Sequence, residues 1–186
     1  MEKRIAICPI GPIRKEILEF VAERISRCCG IGCWIATETE NPRYAYDKGR
    51  CQYNAKTILE HLLAHCPKDA LRFIGLTYVD LYIPVLKYVY GLSQIEGRCA
   101  VISLCRLCLE FYKQPPCDAL LLSRLEKTVI HELGHSFGLT HCQDRRCVMY
   151  SSARIENTDF KGADFCPTCE ELFHWRLHQW IHKRAT

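Results

Sequence analysis

The sequence predicts an α/β fold in one globular unit. Strand-like apolar runs alternate with helical patterns through the first part of the chain, further strand-like runs follow, and helical patterns close the second part. A chain of 186 residues with 48% hydrophobic content is long enough to bury one sizeable core.

Residues 4–10, RIAICPI, are an apolar run that meets Gly11 and Pro12, which predicts a first strand. Over 13–30, Ile17, Phe20, Val21 and Ile25 recur on one helical face, and Gly30 stops the pattern. Residues 31–40 predict a second strand and 41–50 a polar loop. Asn54 opens a helix over 54–66 that ends before Pro67. Residues 70–83 predict a third strand with a continuation, and 86–94 and 99–107 predict two more, separated by a turn containing Gly97. Helical patterns return from about 119 to 139 and over 169–181. No internal repeat or low-complexity segment interrupts this order.

The net charge of +4 is spread along the chain without basic runs, which argues against a nucleic-acid partner. No stretch approaches the roughly eighteen apolar residues of a membrane span. The apolar run near the N-terminus lacks a small-residue cleavage pattern, so a cytoplasmic location is expected. In a reducing compartment the fourteen cysteines point to metal ligation, catalysis or buried thiols more than to disulfides.

Metal-binding side chains concentrate in residues 129–150, VIHELGHSFGLTHCQDRRCVMY. His131 and His135 stand at i and i+4 on one helix face, a spacing that lets both imidazoles share one Zn²⁺. Glu132 is rotated about 100° from His131, off the ligand face, where it can reach a water at the metal and serve as general base. Gly138 can take a positive φ and turn the chain so that His141 returns as a third ligand. Three neutral histidines leave one coordination position open, as a catalytic zinc requires. Cys142 and Cys147, C-x4-C, followed by Cys166 and Cys169, C-x2-C, have an acceptable spacing for a closed, structural zinc; buried thiols or disulfides are the alternative. Cys105 and Cys108 would point to opposite faces of a strand and are expected in the core, while Cys28, Cys29 and Cys33 have no decided state. His61 and His65, and His174, His178 and His182, also repeat at helical spacing but lack a completing glycine turn or carboxylate, and are expected on solvated faces.

The run HELGHSFGLTH followed by Met149 resembles the metzincin zinc peptidases, in which a methionine-containing turn lies beneath the metal. Cys142, Cys147 and Met149 followed by CPTC at 166–169 narrow the resemblance to the archaemetzincins, with a Met149–Cys166 spacing one residue shorter than that family's pattern. RCQYNAKTIL, GLTYVDLYIP and YVYGLSQIEGRCAVISLCRL extend it over nearly the whole chain. It implies a metzincin-like twisted mixed β-sheet with an active-site helix, followed by a small zinc-stapled helical subdomain. The division falls into 1–141, ending in the catalytic motif, and 142–186, with the methionine turn, the four cysteines and the final helix. It also implies an antiparallel edge strand over the cleft, best matched by 87–94, to which an extended peptide could add. Tyr150 follows Met149 too closely to take the role of an aromatic switch.

These readings combine into a zinc peptidase with two zinc ions per chain, a peptide or protein as substrate, and a monomer favoured. A zinc-stabilised peptide-binding protein with lost or gated activity is the alternative.

Overall fold

The computed structural model describes residues 4–182. In chain order the elements are β1 (Arg4–Ile10), α1 (Lys15–Cys29), β2 (Cys33–Ile35), β3 (Tyr46–Asp47), β4 (Gln52–Asn54), α2 (Ala55–Ala64) and β5 (Ala70–Thr77). Then come β6 (Leu81–Ile83), β7 (Leu86–Val89), β8 (Gly91–Ser93), β9 (Cys99–Ser103), α3 (Asp118–Ser136), α4 (Ile155–Phe160) and α5 (Pro167–His182).

The main sheet has the order β2-β1-β5-β9-β8. Its first four strands run parallel, and β8 pairs antiparallel with β9 at the edge. Every residue of β5 and β9 is buried, which is why these strands read as largely apolar runs, with Arg72 of β5 the one charged side chain among them. Alternate side chains of β1 divide between two cores. Ile5 and Ile7 meet Val21 and Ile25 of α1 and Val129 and Leu133 of α3, whereas Ala6, Cys8 and Ile10 meet Ile58 and Leu62 of α2. Phe173 and Leu177 of α5 belong to the first of these cores, so the C-terminal helix is packed against the layer that carries the motif.

Two helix ends follow the sequence signals closely. Gly30 closes α1 in the left-handed region at φ 66, its N–H bonding Ser26 O, and Asn54 caps α2 by accepting from the N–H groups of Lys56 and Thr57. Several strands are shorter than the sequence predicts. The second strand covers only Cys33–Ile35, and the expected loop 41–50 contains a 3₁₀ turn and β3. The run 70–83 breaks after Thr77, so that β5 stays in the main sheet while β6 joins a second sheet of order β3-β4-β6-β7. The run 86–94 divides at Tyr90 in the same way, leaving β7 in the small sheet and only Gly91–Ser93 at the edge of the main one. The run 99–107 ends at Ser103, where Leu104 O accepts from the N–H groups of both Leu107 and Cys108. Cys105 and Cys108 therefore lie on a turn and not on two faces of a strand. Helix α4 carries no strong periodic signal and was not expected.

Candidate active site and metal centres

Helix α3 ends one turn past His131, at Ser136, and Gly138 takes φ 92, the positive value expected of it. The turn brings His141 back to His131 and His135: the ring centroids of His141 lie 5.3 and 4.9 Å from theirs. Nδ1 of His131 donates to Val148 O at 2.8 Å, and Nδ1 of His135 donates to Leu139 O at 2.7 Å. These bonds fix the tautomer and leave both Nε2 lone pairs free, 3.1 Å apart. The ligand atoms of all three histidines lie within 4.8 Å of one another. Burial pushes the pKa of each histidine down, with the Lys161 charge adding to the effect, so the rings stay neutral as metal ligation requires. Donor type, number and convergence fit a zinc ion with one open position.

Glu132 turns away from the ligand face, as its offset dictates, into the space beneath β8. Ser93 Oγ stands 2.5 Å from Glu132 Oε2 and 2.8 Å from the Glu132 carbonyl oxygen. Burial raises the Glu132 carboxyl to about 7, opposed by the Ser93 bond and the Lys161 charge. Gly91 makes this fit possible, since a Cβ there would stand 2.7 Å from Glu132 Cγ. The glycine inside a strand-like run was the available signal for this close approach. Ser93 and Lys161 gave no signal, because their partners are distant in sequence.

Met149 is fully buried below α3. Cys142, Cys147, Cys166 and Cys169 bring their sulfurs within 4.8 Å of one another, with Cys142 and Cys166 3.8 Å apart. Backbone N–H groups of Asp144, Met149 and Cys166 point at these sulfurs at 3.3–3.4 Å. Four sulfurs with N–H donors around them suit a closed zinc site. The loop between the two centres is short and pinned, because Cys142 N–H donates to Met149 O at 3.0 Å. His61, His65, His174, His178 and His182 are exposed and belong to neither group of potential metal ligands among the described residues. None of the fourteen cysteines is paired in a disulfide.

A cleft of about 780 Å³ opens over the three histidines, walled by β7 and β8 on one side and by residues 151–153 with Thr158 and Lys161 on the other. No described helix is long and apolar enough to cross a membrane.

A helix carrying two histidines and a glutamate under the edge of a mixed sheet, with a third histidine returned by a glycine turn, defines a zinc metallopeptidase. The model of peptidase family M54 matches residues 13–174. The archaemetzincin of Methanocaldococcus jannaschii is 39% identical over 169 residues, 91% of this chain and 92% of that one. The crystal structure of archaemetzincin from Methanopyrus kandleri superposes with a TM-score of 0.84 at 34% identity, covering 95% of this chain and 96% of that one. A zinc-dependent peptidase from Methanocorpusculum labreanum superposes at 0.82 with 26% identity, covering 91% and 99%. The chain belongs to peptidase family M54, the archaemetzincins.

Proposed function

We propose that this chain hydrolyses peptide bonds as a metzincin-type zinc peptidase. His131, His135 and His141 hold the catalytic zinc, Cys142, Cys147, Cys166 and Cys169 hold a structural one, and the chain thus carries two zinc ions. One observation supports this above the others: the two free Nε2 atoms on α3 and the buried Glu132 carboxyl open into one cleft beside an antiparallel strand edge.

When bound at the histidines, zinc supplies a Lewis acid that makes water a nucleophile near neutral pH and polarises the peptide carbonyl. Glu132 takes the proton of the attacking water and returns it to the leaving amine. Burial raises the Glu132 carboxyl, which favours release of the proton to the leaving amine, while the charge of a bound zinc would favour the ionised form that accepts it. Ser93 holds the carboxylate in place, and β8 offers main-chain groups to an extended peptide. The four-cysteine centre fixes the loop that delivers His141, while Met149 supports the helix from below. Residues 142–186 act as a second subdomain closing the site begun by 1–141. The partner is a peptide or protein substrate, with no nucleic acid or membrane involved, and the protein works as a cytoplasmic monomer.

A digest of a broad peptide library by wild type and by Glu132→Gln tests the reading. Glu132→Gln leaves the ligands intact, so it should keep zinc content and Tm while rates fall by about 10² to 10⁴. Equal cleavage by both proteins would overturn it, and binding by both without any cleavage would favour a peptide-binding protein.

A further inference from the structure

One side chain joins the two walls of the cleft. Tyr88 of β7 donates from its hydroxyl to the carbonyl oxygen of Ala153 on the opposite wall at 3.1 Å, and both residues line the cleft. Among the described residues no other hydrogen bond links 83–95 to 151–161. The phenol is held from behind. The Arg106 guanidinium lies 4.1 Å from the centroid of its ring and 4.5 Å from that of Phe111. Asp80 fixes the guanidinium by accepting from Nε at 2.6 Å and from Nη2 at 2.8 Å. Gln52, itself buried, donates to Asp80 and to the carbonyl of Lys87, the residue before Tyr88. The Tyr90 ring packs edge-on against Tyr88 with the centroids 5.5 Å apart.

The acceptor is anchored as well. Ala153 stands two residues before α4, whose Asp159 accepts from Nε and Nη2 of Arg124, each at 2.7 Å. Lys127 donates to the carbonyls of Thr158 and Asp159 on the same helix. A bond whose donor and acceptor are each fixed by other contacts needs little further ordering and resists being pushed aside. Its place along the cleft follows from Gly91, which lies against Glu132 and comes three residues after Tyr88. Three residues span at most about 10 Å, so the phenol crosses the cleft close to the catalytic carboxyl. At the other end Ile95, Thr140 and His141 line the cleft, and no hydrogen bond between described residues spans it there.

We propose that Tyr88 closes one end of the cleft, so that preferred substrates place a chain end there. This deepens the peptidase reading and rests on it. An extended peptide advances about 3.3 Å per residue, so the bond to be cut lies within roughly three residues of that end. Tyr88 is then a specificity-determining residue that limits substrate length on one side, and the protein trims chains instead of cutting them internally. The chain end is the N-terminus or the C-terminus according to the direction in which the peptide lies along β8.

The test is a digest of a library of long, unstructured peptides by zinc-loaded protein, with product masses read early. Wild-type cuts should gather within about three residues of one and the same terminus, at least tenfold above internal bonds, and that terminus gives the direction of binding. Tyr88→Ala should bring internal and terminal cutting to similar rates. Tyr88→Phe, which keeps the ring over Arg106 and loses only the bond to Ala153, should fall between. Wild-type cuts spread evenly along the peptides would overturn the proposal without any variant having to fold, and would leave the peptidase reading intact. A folded Tyr88→Ala protein that keeps the terminal restriction would overturn it too. Absence of cleavage would sink the peptidase reading, and binding then decides on the closed end. A short library peptide held by zinc-loaded Glu132→Gln protein is extended at its N-terminus, at its C-terminus or at both. One single extension and the double one should each weaken binding tenfold or more, and Tyr88→Ala should restore it; equal affinities across the set would overturn the proposal.

Discussion

Met149 packs its thioether against the backbone of Gly134: a Cβ on that glycine would stand 2.5 Å from Sδ and 3.1 Å from Cε. The glycine lies between His131 and His135 on the same helix, so the methionine supports the helix at the level of its ligands. Gly134→Ala should gain about 1 kcal/mol of helix propensity and lose about 1–3 kcal/mol to overpacking. The expected net result is a lower Tm together with weaker zinc binding at the histidines. A zinc titration and a melt of the variant measure both, and an unchanged zinc affinity would show that Met149 does not set the ligand geometry.

The two centres should separate by mutation. Cys147 is 1% exposed and its sulfur accepts from two backbone N–H groups, so Cys147→Ser should lower Tm, release one zinc and loosen His141. His135→Ala should remove the other zinc with less loss of stability. Elemental analysis and thermal melts of the two proteins check this; equal melting temperatures with full metal in the cysteine variant would contradict it.

Arg72 is fully buried with its guanidinium 3.8 Å from the centroid of Phe137 and 4.2 Å from that of Trp180. It donates to Leu71 O, Ser136 O and Ser136 Oγ, tying β5 to the end of α3. Arg72→Lys keeps the charge but neither the planar stack nor the fork of donors, and should cost on the order of 2–4 kcal/mol in a denaturant titration. A loss below about 0.5 kcal/mol would mean that charge alone is what this position needs.

Cys66 offers a pH test away from the metal centres. A hydrogen bond from Cys99, with help from the Arg98 charge, lowers the Cys66 thiol to about 7. A lowered pKa means that the thiolate and its reactivity appear as pH rises through about 7, below the range of a free cysteine. Alkylation of Cys66, followed by peptide mass mapping across pH, should show this midpoint. Cys99→Ala should move it upward; a midpoint that stays put would remove the neighbouring thiol as the cause.

What the sequence made legible follows from distance along the chain. His131, Glu132, His135, Gly138 and His141 lie within one helix and its terminal turn, so spacing alone placed them. The four cysteines cluster as their spacing allows. Ser93 and Lys161 meet Glu132 and His131 only through tertiary packing, and nothing local marks them, whereas Gly91 is marked as a glycine inside a strand-like run. The run 86–94 was read as one strand because period-2 patterning reports a pleated backbone but not which sheet each half joins. The break at Tyr90 depends on where β6 and β9 lie, which no window around residue 90 contains.

The sandwich of Arg72 between Phe137 and Trp180 also sets an order of events during synthesis. A nascent chain can lay down β1, β5 and β9 early, but the guanidinium buried behind β5 waits for the last helix to cover its second face. Until residue 180 has cleared the ribosome, the layer bearing the histidines stays open on that side and wetted by solvent. That face of the histidine-bearing layer is therefore covered only once the helix carrying Trp180 has docked.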